Sequence, residues 1–260
     1  MYGKFRLFAG VATAMLFSAQ TSATIVRFQT AMGSFDVNLY DRGTPATVAN
    51  FLAYLNAGAY TNGVIHRSVG GFVVQGGGFK WQGTTTFGTV TQNAAVVNEP
   101  KFSNVRGTIA MAKVSGNVNS ATSQWFINTG NNSANLDVQN GGFTVFGQVI
   151  GNGMTVVDAM NALQTFSMSI SDAVPLRNYT TLDMTNAVPV TDQHLVITTS
   201  VVVLDSGLDT AAGLSQPLNT LLVPPPAADP DTGGGGATGL GSLLLLGALN
   251  LWRQRRIATR

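Results

Sequence analysis

The sequence predicts a mainly β protein, built as an antiparallel barrel rather than a doubly wound sheet. Two observations carry this. Short β-branched and aromatic runs recur along the chain between Gly- or Asn-rich turns, and only two segments space their apolar residues helically. No internal repeat is present.

The elements follow in order. Ile25 to Thr30 is β-branched and aromatic, and Ser34 to Tyr40 alternates. Phe35, Val37 and Leu39 share one face there, with Ser34, Asp36 and Asn38 on the other, and Gly33 between the runs marks a hairpin. A helix follows, with Thr44 as N-cap and Pro45 at its first position. Val48, Phe51, Leu52 and Leu55 form its apolar face, and Gly58 stops it. Five short strands are expected at 64–69, 72–75, 108–112, 124–128 and 143–149. A second helix is expected over 154–163, with Val156, Val157, Met160 and Leu163 on one face. Leu195 to Leu204 is a final β-branched strand. The spacing does not say whether residues 165–205 add to the barrel or extend from it.

The two ends differ from this body. Residues 1–23 place Lys4 and Arg6 before an apolar run and end on Thr21-Ser22-Ala23, the layout of a secretory signal peptide. Residues 24–205 form the expected folded domain. Residues 206–236 read as a linker, with Pro224-Pro225-Pro226, Pro230 and four consecutive glycines. Residues 237–252 form an apolar C-terminal helix, and 253–260 a basic tail that would stay in the cytoplasm.

Charge and cysteine usage exclude several functions. The whole chain is formally +2, but residues 24–236 hold eight Lys/Arg against twelve Asp/Glu and are acidic. Nucleic-acid binding therefore lacks its basic face. With no cysteine and two histidines, disulfides and thiolate chemistry are excluded and a zinc site has little support. Gly76-Gly77-Gly78-Phe79-Lys80 lacks the Gly-Lys-Ser/Thr ending of a phosphate loop, and no Gly-x-Ser-x-Gly elbow occurs. No metal or other cofactor is expected.

The most informative stretch is Val64 to Gly78. It carries Ile65-His66-Arg67, Gly71-Phe72 and Gln75-Gly76-Gly77. Thr108-Ile-Ala-Met-Ala112 and Ser120-Ala-Thr-Ser-Gln-Trp-Phe-Ile-Asn128 form a second block. Leu136-Asp137 and Phe143-Thr-Val-Phe-Gly-Gln-Val149 form a third. These blocks, in this order and spacing, resemble the cyclophilin-type peptidyl-prolyl cis-trans isomerases, in the version found in bacterial periplasmic members. The resemblance covers roughly residues 25–165. It implies a closed antiparallel eight-stranded barrel with two capping helices, and rotation about X-Pro bonds as the reaction.

The same resemblance implies the site. Arg67 is the main catalytic residue, with Gln75 holding it and the substrate carbonyl. Phe72, Val73, Phe126, Leu136 and Phe143 line an apolar pocket for the proline ring. The backbone around Ala112 and Lys113 binds the peptide as an added strand, with Gln124 beside it. His66 supports the site, since the reaction transfers no proton. Four positions depart from the family's common residues: Ile65, Val73, Asn135 and Phe143. Asn135 stands where a Trp linked with cyclosporin binding often occurs, so weak sensitivity to those drugs is expected.

The expected partners are proline-containing unfolded or partly folded polypeptides, with signal peptidase acting on the N-terminus. The C-terminal segment resembles the GlyGly-CTERM sorting signals, which implies a rhomboid-type protease. A plain tail anchor in the inner membrane is the alternative. Either way the domain is exported, as a monomer. A second functional class stays open: a barrel that holds proline-containing segments as a chaperone or surface module, with little turnover.

Overall fold

The computed structural model describes residues 24–83, 86–207 and 214–222. The signal-peptide, glycine-run, C-terminal-helix and basic-tail segments lie outside the described residues. Among the described residues, no helix is long and apolar enough to cross a membrane.

The chain opens with the expected hairpin, β1 (Ile25–Thr30) and β2 (Gly33–Leu39), followed by α1 (Pro45–Asn56). Next come β3 (Gly63–Val64), β4 (Arg67–Val69), β5 (Val73–Gly76), β6 (Phe79–Trp81) and β7 (Phe87–Thr89). After a long loop come β8 (Thr108–Met111), β9 (Trp125–Asn128), the one-turn α2 (Ser133–Leu136) and β10 (Val145–Ile150). Then follow α3 (Gly153–Asn161), β11 (Thr165–Met168), β12 (Ser171–Pro175), α4 (Thr181–Thr185) and β13 (Ile197–Asp205).

Eleven strands form one antiparallel sheet, ordered β4-β5-β9-β8-β10-β2-β1-β13-β3-β6-β7. The count exceeds eight for two reasons. First, β3 and β4 are halves of a single run: Ile65 N–H donates to Val196 O toward β13, and His66 N–H donates to Gln75 O toward β5. That run therefore links β13 to β5, and with its halves counted once the ring has eight members. Second, β6 and β7 make an extra ribbon outside the ring, pairing Phe79 with Thr89 and Trp81 with Phe87. The hydrophobic pattern of residues 79–89 is too short to announce it.

The barrel interior holds the core. Phe28 stacks on Phe35 at 4.8 Å between ring centroids and meets Trp125 edge-on at 5.0 Å. Phe51 of α1 closes one end against Tyr60 and Phe146, both at 5.2 Å. In β2, Phe35, Val37 and Leu39 are buried as the alternation predicts. Asn38 departs from that pattern and is buried between β1 and β10, opposite Ile25 and Gln148.

Helix α1 starts at Pro45, as the sequence indicates, but Thr44 does not cap it. Its side chain makes no capping bond and is fully buried. Glu99, from the loop before β8, does that work. One carboxylate oxygen accepts from Thr47 N–H at 2.8 Å and from Thr47 Oγ1 at 2.7 Å. The other accepts from Ala46 N–H at 3.4 Å. An anion at a helix N-terminus also meets the positive end of the helix dipole.

Residues 165–205 do two jobs. The β11–β12 hairpin contributes to a separate apolar cluster of Val64, Phe166, Val174, Leu176, Tyr179, Leu195 and Ile197. The remainder becomes β13, which pairs with both β1 and β3 and completes the ring. Part of the segment read as linker also packs. Ser103 N–H donates to Pro217 O at 2.8 Å, Asn219 N–H to Lys101 O at 2.9 Å, and Asn219 Nδ2 to Asp137 O at 2.8 Å.

Glu99→Ala removes two acceptor oxygens, and the three hydrogen bonds they receive, from the start of α1. It is expected to lower unfolding free energy by about 1–2 kcal/mol, as loss of a helix cap does. Urea unfolding of the two proteins checks this, with an unchanged midpoint arguing against the Glu99 cap.

Candidate active site

Strand pairing lays the site residues out in a row. Arg67 of β4 stands opposite Gln75 of β5, Gln75 opposite Phe126 of β9, Phe126 opposite Ala110 of β8, and Ala110 opposite Val145 of β10. Directly opposed residues share a face of the sheet. The alternate positions Val74, Ile127 and Ile109 belong to the barrel core. Each strand thus turns one face to the core and the other to the site.

The outer face carries a second apolar cluster. Val73, Ala110, Phe126, Leu136 and Val145 are buried in it with Tyr40 and Phe102, and Phe72, Ala112 and Phe143 are partly buried against it. Phe126 meets Phe143 edge-on at 5.8 Å. All five residues expected to line the proline pocket are brought together here. Tyr40 and Phe102, which pack below them at 4.9 Å from each other, are additions the motifs do not contain.

Arg67 sits at the edge of this cluster, half-buried. Its Nη1 donates to Gln75 Oε1 at 3.4 Å, and Gln75 Nε2 donates to Gln124 Oε1 at 3.0 Å. Among the described residues, Arg67 has no ion-pair partner. Burial lowers its affinity for its proton, but an arginine stays charged nonetheless. The site therefore offers an oriented cation, uncompensated by any carboxylate, beside an apolar pocket.

Lys113 supplies a second cation. Its Nζ donates to Asn140 O at 2.8 Å and Gly142 O at 2.7 Å and lies 4.8 Å from the Phe143 ring centroid. Burial lowers its pKa to about 8. A cavity of about 140 Å³ runs beside it, lined by Gln75, Ala112, Ser120 and Gln124 among others. Ala112 N–H is already bonded to Gln124 O at 2.9 Å.

His66 is in side-chain hydrogen-bond contact with Gln124, one of the residues that line this cavity. It is buried, and its ring meets Phe79 edge-on at 5.0 Å. Desolvation pushes its pKa down to about 4, with a further push from Arg67. It is neutral at ordinary pH, and its Nδ1 has no partner among the described residues.

Known proteins carry the same pattern. The family model for cyclophilin type peptidyl-prolyl cis-trans isomerase/CLD matches residues 25–186, more than half of the chain. Peptidyl-prolyl cis-trans isomerase A of Dickeya dadantii is 37% identical over 180 residues, spanning 65% of this chain and 91% of that protein. A peptidyl-prolyl cis-trans isomerase of Acinetobacter baylyi is 37% identical over 165 residues, spanning 62% of this chain and 85% of that one. The chain belongs to the cyclophilin family. It is, accordingly, a peptidyl-prolyl cis-trans isomerase. In fold it resembles a crystal structure of a cyclophilin-type isomerase from Cryptosporidium parvum, with TM-score 0.50 and 21% identity, covering 71% of this chain and 99% of that one.

In this cyclophilin, the site loops are held by a relay of buried polar side chains. Asp137 accepts from Ser103 Oγ at 2.6 Å and from Asn104 Nδ2 at 2.9 Å. Asn104 Nδ2 also donates to Phe143 O at 3.0 Å. Asn128 Nδ2 donates to Asn104 Oδ1 at 3.3 Å, and Asn132 Nδ2 donates to Asn128 Oδ1 at 2.7 Å and Phe72 O at 2.8 Å. The relay thus runs behind the pocket from the Leu136–Phe143 loop to the Phe72 turn. From the other side, Asn161 of α3 grips the same turn. Its Oδ1 accepts from Gly71 N–H at 3.0 Å, and its Nδ2 donates to Ser68 Oγ at 2.9 Å and Val69 O at 3.0 Å. Abundant asparagine near the motifs was the available signal for these residues, but it reads equally as loop composition.

Two outcomes are expected. Asn104→Ala leaves Asp137 and Asn128 short of partners and should cost about 2 kcal/mol of stability, read by urea unfolding. The second concerns pH. Because the folded His66 pKa lies below the unfolded value near 6.5, its neutral form stabilises the fold fully above that value. This contribution, up to about 3 kcal/mol, is lost as pH falls from 6.5 toward 4. A His66→Gln variant should show a flatter pH profile of unfolding free energy across that range, and a profile parallel to wild type would refute the buried neutral state.

Proposed function

We propose that this isomerase acts on proline-containing segments of exported polypeptides, with Arg67 as the residue that lowers the rotational barrier. The observation that carries this is the carboxylate-free Arg67 guanidinium, oriented through Gln75 at the edge of the apolar cluster. An X-Pro bond resists rotation because amide resonance gives it double-bond character, a barrier of about 18–20 kcal/mol. As the bond twists, the imide nitrogen becomes pyramidal and its lone pair localises. A fixed cation there is attracted more strongly to the twisted state than to the planar one, which is selective transition-state binding. Phe72, Val73, Phe126, Leu136 and Phe143 hold the ring while the chain on the other side of the bond rotates. Gln75 fixes Arg67 and the substrate carbonyl. The Ala112–Lys113 backbone and Gln124 hold the peptide as an added strand. His66, buried and neutral, shapes the strand that carries Arg67.

Export is supported by the layout of residues 1–23. We read the 233–260 segment as a sorting signal cut by a rhomboid-type protease near its glycines, with the domain released outside the inner membrane as a monomer. Recovery of the enzyme from the cytoplasm with residues 1–23 intact would refute the export reading.

Holding of polypeptides with little turnover is a second reading. It is favoured by the exposed side chains of Val114, Val118 and Val138 beside the Lys113 loop. A protease-coupled assay on a short X-Pro peptide separates the two. Arg67→Ala is expected to lower kcat/KM by roughly 100- to 1000-fold, in line with removal of one transition-state donor. Arg67→Lys should restore only part of it, because a point charge lacks the guanidinium fork. Equal rates for wild type, Arg67→Ala and buffer would leave only the holding role.

A further inference from the structure

Thr24, the residue after the expected cleavage point, is held by side-chain and backbone bonds. It is 3% exposed. Its backbone N–H donates to Asp41 Oδ2 at 2.9 Å, and its hydroxyl donates to Asp41 Oδ1 at 2.9 Å. Its carbonyl accepts from Leu39 N–H at 2.9 Å, which continues the β1–β2 ladder past Ile25. Both carboxylate oxygens of Asp41 are thus turned on one residue. Burial raises the pKa of Asp41, and the bonds from Thr24 only partly offset that rise. In the full-length chain, then, a half-buried carboxylate faces a neutral peptide N–H.

Cleavage between Ala23 and Thr24 changes that group's charge without moving it. The peptide nitrogen becomes a primary amine, protonated at neutral pH, since an α-amino group has a pKa of about 7.7–8.0. Its position is already fixed by the Thr24 hydroxyl and carbonyl bonds, so little further ordering is needed. An opposite charge at hydrogen-bond distance is the form of compensation a partly buried carboxylate lacks. We propose that Asp41 is the receptor for the new N-terminus, so that removal of residues 1–23 creates an ammonium–carboxylate pair and locks the first strand onto the barrel. Any N-terminal residue left before Thr24 would move the charge out of reach.

The proposal rests on the export reading for its timing, and its chemistry can be tested separately. Two proteins are prepared, one beginning at Thr24 and one retaining Ala23, each with Asp41 or Asp41→Asn. At low salt and pH 6.5, the Thr24 form with Asp41 is expected to have an unfolding equilibrium constant roughly five-fold smaller than the Ala23 form. That ratio should fall to about one in the Asp41→Asn pair. Equal stability of the two Asp41 proteins, or a ratio that survives Asp41→Asn, would overturn the pairing. Should Asp41→Asn not fold, acetylating the Thr24 amine gives the same reading, and an acetylated form as stable as the free one would overturn it. Mass spectrometry of protein made with its full N-terminus tests the timing alone: a terminus at Thr24 supports it, and any other terminus overturns the processing claim while leaving the pairing to stand on the stability data.

Discussion

The fold depends on one run of chain, Gly63 to Val69, changing strand partners part-way along. Its first half pairs with β13 on one side and β6 on the other, and its second half with β5. The switch occurs at Ile65 and His66, whose N–H groups point to opposite neighbours. This closes the ring without a free edge at the seam, and unpaired strand edges are costly and prone to aggregation. It also decides where the cation goes. Ile65 is buried in the core, and Arg67, two residues on but past the switch, faces outward beside Gln75. Closure of the barrel and presentation of the guanidinium are one structural event.

That arrangement explains the electrostatics around the site. The seam is buried, so His66 is kept neutral and adds no second charge beside Arg67. Arg67 and Lys113 are each half-buried, and among the described residues each donates to neutral oxygens: an amide for Arg67 and two backbone carbonyls for Lys113. Neutral acceptors orient a cation without cancelling its field. A carboxylate at either position would fix the side chain more firmly but would leave little charge to act on a substrate. The apolar cluster beside them lowers the local dielectric, which strengthens that remaining field.

Much of this was legible beforehand. The β1–β2 hairpin, α1, α3 and the principal ring strands follow from alternation and helical spacing, because each buries one stripe against one core. The motif residues Arg67, Gln75 and Phe126 converge because adjacent antiparallel strands place them in one row, and Phe72 joins the cluster from the turn before β5. What stayed hidden depends on contacts far apart in sequence. Thr44 looks like a cap locally, yet Glu99, more than fifty residues on, does the capping. The strand reading of 64–69 was correct as a stretch, but its division between two partners is a property of ring closure. Residues 165–205 were ambiguous because the earlier part serves a satellite cluster and only the last nine residues join the ring.

A chain without cysteine must hold long loops by other means. Packing supplies the barrel core, but the loops that form the pocket have few apolar residues to bury. They are instead tied by asparagine. Asn104, Asn128 and Asn132 link the Phe143 side of the pocket to the Phe72 side, and Asn161 holds that second side from α3. Asn98 reaches Gly141 O and Gly142 O, and Asn140 reaches Val114 O. An amide side chain can donate and accept at once, so each one can bridge two backbone segments. Such ties are directional, so they fix the geometry of the loops around the apolar cluster. In this structure the polar composition that made the loops look featureless is the means by which they are shaped.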